Sequence, residues 1–210
     1  MKKIITILSA SFLLAASALA DTGMVGVKYG LGDLEATKGS YAAGGHTYAA
    51  QTASEDHEYG AIFLEINMPS VEGLSAGIEL IPFTATLTVD GNSADSHLEL
   101  SDYTTLYGLY SRDMGDMSAY IKAGYSMADI GNVTANYIGT TINSHDTSLE
   151  GPMVGIGISK DLAEITARLE ATYTDFDTVA VTTTSNASAS ARKAADAELT
   201  TISVSIAKSF

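Results

Sequence analysis

From Val25 to its C-terminus the chain repeats one device: runs of roughly ten residues in which apolar side chains take every second position. Strand side chains point alternately to two faces, so a period of two builds a sheet with one apolar and one polar face; a helix needs about 3.6. The first run sets Val25, Val27, Tyr29 and Leu31 against Gly26, Lys28, Gly30 and Gly32. The second sets Ile62, Leu64, Ile66 and Met68 against Ala61, Phe63, Glu65 and Asn67. The third has Leu74, Ala76, Ile78 and Leu80 against Ser75, Gly77 and Glu79. The fourth, Tyr103 to Ser111, has strand composition but leaves its inward and outward faces open.

In the fifth run Ala119, Ile121, Ala123, Tyr125 and Met127 oppose Tyr120, Lys122, Gly124 and Ser126. The sixth places Val154, Ile156 and Ile158 against Met153, Gly155, Gly157 and Ser159. The seventh opposes Ile165, Ala167, Leu169, Ala171 and Tyr173 to Thr166, Arg168, Glu170, Thr172 and Thr174. The last runs Ile202, Val204, Ile206 to Phe210, with Ser203 and Ser205 between.

The links between runs alternate. Pro69 to Gly73, Arg112 to Asp116 and Lys160 to Ala163 are short; Glu35 to Asp56, Thr84 to His97, Ala128 to Thr147 and Asp175 to Asp196 are long and polar. Tight turns on one side and long loops on the other are the layout of a membrane barrel. A lipocalin-like barrel would keep its aliphatic side chains inside, and a sandwich would bury them against a second sheet. Here glycine and charge share one face while aliphatics run along the other, which suits a crowded polar lumen inside lipid. The expected fold is all-β: an eight-stranded antiparallel transmembrane β-barrel, up-and-down, forming one domain over 21–210.

Residues 1–20 read as an export signal: Lys2 and Lys3, an apolar stretch from Ile4 to Ala16, and Ala18-Leu19-Ala20 as the cleavage site. The expected destination is the cell outer membrane, reached through the periplasm. Removing Lys2 and Lys3 takes the formal charge from −14 to −16. Such an acidic chain lacks the clustered cations that nucleic acid requires. The sequence has no cysteine, so a closed hydrogen-bonded sheet must do what disulfides do in other exported proteins.

The C-terminal pattern Ile202, Val204, Ile206 and Phe210 resembles the signal that the bacterial barrel-assembly machinery recognises, with Lys208 as a departure where an apolar residue is usual. The stretch Arg168 to Asp177 resembles the penultimate strand of the OmpA-like, Opa-like small barrel superfamily. The resemblance implies outer-membrane lipid and lipopolysaccharide as surroundings, the assembly machinery as a partner during biogenesis, and a lumen holding a charge network. With no tryptophan in the chain, Tyr29, Tyr59, Tyr103, Tyr125, Tyr173 and Phe210 are the expected interfacial aromatics.

Six charges fall on the inward face: Lys28, Glu65, Glu79, Lys122, Arg168 and Glu170. They stand at comparable distances from the short turns, so one layer across the lumen is expected, with Lys28, Glu65 and Glu79 within reach of one another on consecutive strands. Withdrawn from water, they must pair. Such a layer reads either as a gate that rearranges to pass ions or as a static polar core.

Other chemistry is weakly signalled. His46, His57, His97 and His145 fall in the long links, three beside carboxylates (Glu55 and Asp56, Asp95 and Glu99, Asp146), but their spacing matches no ligand pattern, and no metal or cofactor is assigned. Ser96-His97 lacks an orienting partner, so no catalytic residue is assigned and the chain is read as non-enzymatic. Gly155 and Gly157 lie inside a strand and make no nucleotide loop. The segment Val179 to Ala195 reads as a mobile loop.

The functional expectation is an integral outer-membrane barrel serving envelope structure, with narrow porin-like passage if the lumen opens. The alternative is a surface adhesin or ligand-binding protein acting through its long loops; a lipid A-modifying enzyme stands third. Signal cleavage after Ala20 makes Asp21 the mature N-terminus. Sequencing the exported protein from its N-terminus should begin there, and a start at Met1 would contradict the export reading.

Overall fold

The computed structural model describes residues 23–38, 41–43, 46–48, 51–82, 85–89, 96–135, 140–185 and 188–210. The export segment 1–20 lies outside them. The described residues form strands β1 (Gly23–Lys38), β2 (Tyr41–Ala43), β3 (His46–Tyr48), β4 (Gln51–Asn67), β5 (Leu74–Ile81) and β6 (Ala85–Val89). They continue as β7 (Ser96–Asp113), β8 (Ser118–Ala135), β9 (Thr140–His145), β10 (Ser148–Leu162), β11 (Ile165–Ser185) and β12 (Ser188–Ser209).

Eight of these make a closed antiparallel barrel: β1, β4, β5, β7, β8, β10, β11 and β12, each paired with the next, and β12 paired back onto β1 from Met24↔Ser209 to Thr37↔Asp196. The Phe210 N–H donates to the Gly23 carbonyl at 3.0 Å, extending closure to the chain's end. Of the remaining strands, β6 adds to β7, β9 adds to β11, and β2 pairs with β3. Within a barrel every ladder group has a partner, so no edge is offered to lipid.

The short turns fall where the sequence places them. Gly73 (φ 78°) and Gly115 (φ 92°) take left-handed backbone that a side chain would oppose, and a Cβ on Gly73 would also strike the Ser111 carbonyl. Between these turns and the middle of the barrel the apolar positions face out: Val25, Leu31, Ile121, Ile156, Ile202 and Val204 are all exposed, Ile156 at 66%. In an isolated chain that exposure is a lipid-facing band. The fourth run takes one register, with Thr105, Tyr107 and Leu109 buried in the lumen and Leu106 and Tyr110 outside.

The long links differ from expectation. Much of what reads as polar loop is strand: β1 continues to Lys38, β4 begins at Gln51, and β7 begins at Ser96. The segment Val179 to Ala195, expected to be mobile, is largely a paired ribbon, with Val179↔Ala195 and Ser185↔Ser188 in register. The reason is an inversion of the same period-two pattern. Beyond the band, Leu34, Ile130, Leu149, Phe176 and Leu199 point inward and pack together, while Asp33, Glu35, Asp56, Glu58, Asp175, Asp177, Asp196 and Glu198 point outward. There the barrel wall meets water instead of lipid and is built like a soluble one.

Tyrosine marks the seam. Tyr29, Tyr125 and Tyr173 are exposed on the outer face, and the hydroxyls of Tyr29 and Tyr173 bond the carboxylates of Glu58 and Glu198. Tyr59 and Tyr103, expected in the girdle, instead line the lumen, because their positions share the inward parity of Glu65 and Tyr107. Tyr110 is exposed near the short turns, where Phe210 also lies, its ring against Gly23.

The band predicts depth-dependent tolerance. Ile156→Arg should lose about 2–4 kcal/mol and Asp33→Lys no more than about 1 kcal/mol, measured by urea unfolding from phosphatidylcholine vesicles; equal losses would contradict the band's position.

Candidate functional site

The lumen charges come from five strands: Lys28 on β1, Glu65 on β4, Glu79 on β5, Lys122 on β8, and Arg168 and Glu170 on β11. Four of them alternate in sign on every second strand around the barrel. On one side of each the neighbour is small: Lys28 opposes Ala61, Glu79 opposes Thr105, Lys122 opposes Gly155, and Glu170 opposes Ser203; on the other side Glu79 meets Phe63 and Lys122 meets Leu109. An eight-stranded barrel has room inside only for side chains, so large and small must alternate at one level.

The result is a closed ring. Lys28 Nζ donates to Glu79 Oε2 at 2.5 Å and to Glu170 Oε1 at 2.6 Å. Lys122 Nζ donates to the same two oxygens at 3.0 and 3.1 Å. All four side chains are buried. Each ammonium sits between two carboxylates, and each carboxylate between two ammoniums.

A second tier stands nearer the short turns. Arg168 grips Glu65 with both ends of its guanidinium, Nη1 to Oε2 at 2.5 Å and Nη2 to Oε1 at 3.0 Å. Glu65 therefore pairs across the lumen with Arg168 and not along the ladder with Lys28, as consecutive strands suggest; on β1 it stands opposite Met24, while Lys28 stands opposite Ala61. The expected single layer is two tiers. Tyrosines join them: Tyr107 donates to Glu65 and Tyr120 to Glu170, each at 3.1 Å. Lys122 lies 4.0 Å from the centre of the Tyr107 ring, and Arg168 packs between the rings of Phe63 and Tyr120. Three positive and three negative charges thus neutralise one another out of water.

The aromatic residues fit because of glycine. Gly26 opposes Phe63, Gly30 opposes Tyr59, Gly77 opposes Tyr107, and Gly157 opposes Tyr120. In each pair the ring lies over the glycine, where a Cβ would collide with it. Alternation places these residues on the inward face, but only the strand register shows which ring covers which glycine.

Above the ring, His57, Tyr59, Tyr103, Thr105, Thr172 and Thr201 line a cavity of about 20 Å³, on the order of one water. Beyond it lies the apolar cluster of Leu34, Ile130, Leu149, Phe176 and Leu199. His57, read as a loop residue, is in β4 with its ring over Gly32. His46, His97 and His145 belong to β3, β7 and β9, and Ser96 to β7; their side chains, like Asp95, lie outside the described residues. Ile202, Val204 and Ile206 face the lipid band on β12, adjoining both β1 and β11.

No family model and no curated protein matches this chain. Solved structures do. Neisserial surface protein A superposes with a TM-score of 0.54 at 12% identity, covering 89% of this chain and 97% of that one. The outer membrane protein AlkL, determined in lipid bilayers, gives 0.60 at 12% identity, covering 91% and 92%. The fold is that of the small eight-stranded outer-membrane barrels. At this identity the likeness concerns the barrel alone.

Removing one partner from a buried ion pair leaves an uncompensated charge. Glu79→Gln should destabilise the folded barrel by about 3–5 kcal/mol in urea unfolding from vesicles. Replacing all four ring residues together (Lys28→Met, Glu79→Leu, Lys122→Met, Glu170→Leu) should recover most of that loss. A Glu79→Gln protein as stable as wild type would show that the ring is not a closed network.

Proposed function

We propose that this chain is an integral protein of the bacterial outer membrane whose barrel is sealed and whose role is structural support of the envelope. The single observation that carries this reading is the lumen's double closure. A neutral charge network with each ammonium bound to two carboxylates lies at mid-barrel, and an apolar cluster packs inside the barrel beyond it. Opening a path for ions would have to break the first and hydrate the second. A polar network alone is compatible with gating; an apolar layer in series with it favours closure. Narrow porin-like passage is the lesser form of the same proposal, in which the two tiers rearrange.

The second reading, binding at the cell surface, is favoured by the paired ribbon of β11 and β12 that rises beyond the band. A paired ribbon presents side chains more reproducibly than a loop. The outward acidic residues at its base, Asp175, Asp177, Asp196 and Glu198, would select a cationic partner.

The test is planar-bilayer conductance of the refolded mature chain beside Arg168→Ala. The sealed reading expects inserted, folded protein without discrete steps in either form, because the apolar cluster and the four-residue ring both remain. Discrete steps in the wild type that change with Arg168→Ala would contradict it and establish a pore controlled by the lower tier.

A further inference from the structure

The lipid-facing wall has a shallow furrow of about 680 Å³ near the short-turn end, crossing β7, β8, β10 and β11. Its floor is set by Ala119 and Ala171, and its walls by Ile121, Ile156, Ile158 and Leu169. These residues form two adjacent cross-strand rows: Arg112, Ala119, Ile158 and Leu169 in one, Tyr110, Ile121, Ile156 and Ala171 in the next. Barrel strands tilt by roughly 35–45°, so such rows are inclined to the membrane plane and the furrow slants up from the rim. Its volume falls in the range of sites that hold a small molecule.

At its lower end the furrow is lined by Arg112, which sits beside Ala119. Lys160 stands on the other side of β8, two residues beyond Ile158 on β10 and beside Ala167. Both side chains are outward and exposed, and among the described residues neither has a carboxylate partner. Of the nearby acids, Asp113 accepts from Ser118 and Asp161 from Thr166, each at 2.6 Å, on the lumen side of their hairpins, while Asp116 and Glu72 lie in the turns themselves. Lys208, the third outward cation of this rim, pairs with Glu164 at 3.2 Å.

We infer that this furrow is a binding site for an anionic phospholipid of the periplasmic leaflet. The headgroup phosphate would be held by Arg112 and Lys160, with an acyl chain laid along Ala119 and Ala171. One cation lining the lower end of an apolar trough, with a second just beyond Ile158 on β10, matches a molecule with an anionic head and an apolar tail. Their position at the short-turn end places them at the periplasmic headgroups. The inference rests on the membrane placement above and is independent of whether the lumen conducts.

The experiment uses the refolded mature chain in nanodiscs of equimolar phosphatidylglycerol and phosphatidylcholine, with retained lipids counted by native mass spectrometry. Insertion is checked first by the gel shift of the folded barrel. The wild type should retain phosphatidylglycerol in excess, by about fivefold for each cation. Arg112→Gln with Lys160→Gln should return the ratio to that of the disc, whereas Lys208→Gln should leave the excess intact. Ala119→Phe, which fills the furrow without altering charge, should release the retained lipid. An inserted barrel with no excess, or an excess that survives the double substitution, overturns the inference alone. A dimer that Ala119→Phe abolishes overturns it in favour of a second copy in the furrow. Failure of the wild type to insert overturns the membrane placement with it.

Discussion

Pairing of β12 back onto β1 supplies hydrogen bonds that hydrocarbon would withhold from an open sheet edge. Once the sheet is closed, each residue has only two places to point, inward or outward, and the solvent at each level decides which residues go where. In the lower barrel the outside is lipid, so aliphatics turn out and charge is confined to a lumen that bulk water does not fill. Confinement then dictates neutrality. Three cations and three carboxylates share the space, and the four of the ring alternate in sign on alternate strands, with Ala61, Thr105, Gly155 and Ser203 making room between them.

Higher up the outside is water, and the same alternation is used in reverse. Leu34 and Leu199 turn in while Asp33, Glu35 and Glu198 turn out. Glu35, Glu198 and Asp175 stand directly opposite one another on β1, β12 and β11. Like charges in that arrangement repel, and water and salt reduce the repulsion where these side chains are exposed. The row would be far less tolerable within the band. The tyrosines between the two regimes have a ring for one and a hydroxyl for the other.

The stretches of strand that read cleanly from sequence are those wetted by one solvent. The start of β11, with Leu169 and Tyr173 out and Arg168 and Glu170 in, is one; the start of β1 is another. Where the solvent changes, the same rule misled: the acidic residues of β1, β4, β11 and β12 read as loop because charge was expected only inside or beyond the strands. Tyr59 and Tyr103 were misplaced for a related reason, since tyrosine suits an interface and a polar lumen equally. The fourth run resisted because Leu106 and Tyr110 face lipid while Tyr107 and Leu109 face the lumen, so hydropathy does not separate its faces. Six inward charges were legible from parity alone. Their partners were not, because Arg168 meets Glu65 across the lumen, a contact set by barrel closure and not by any local pattern.

The inversion is the claim on which both the band and the seal depend, and β1 crosses it. The chain has no cysteine of its own, so single cysteines placed at 25, 27, 29, 31, 33, 34 and 35 can be probed in vesicles with a membrane-impermeant thiol reagent and a lipid-soluble one. The account predicts that 25, 27, 29 and 31 react only with the lipid-soluble reagent, 33 and 35 with the impermeant one, and 34 with neither. Rapid impermeant labelling at 34 together with protection at 33 and 35 would contradict it, showing that the acidic face does not turn to water.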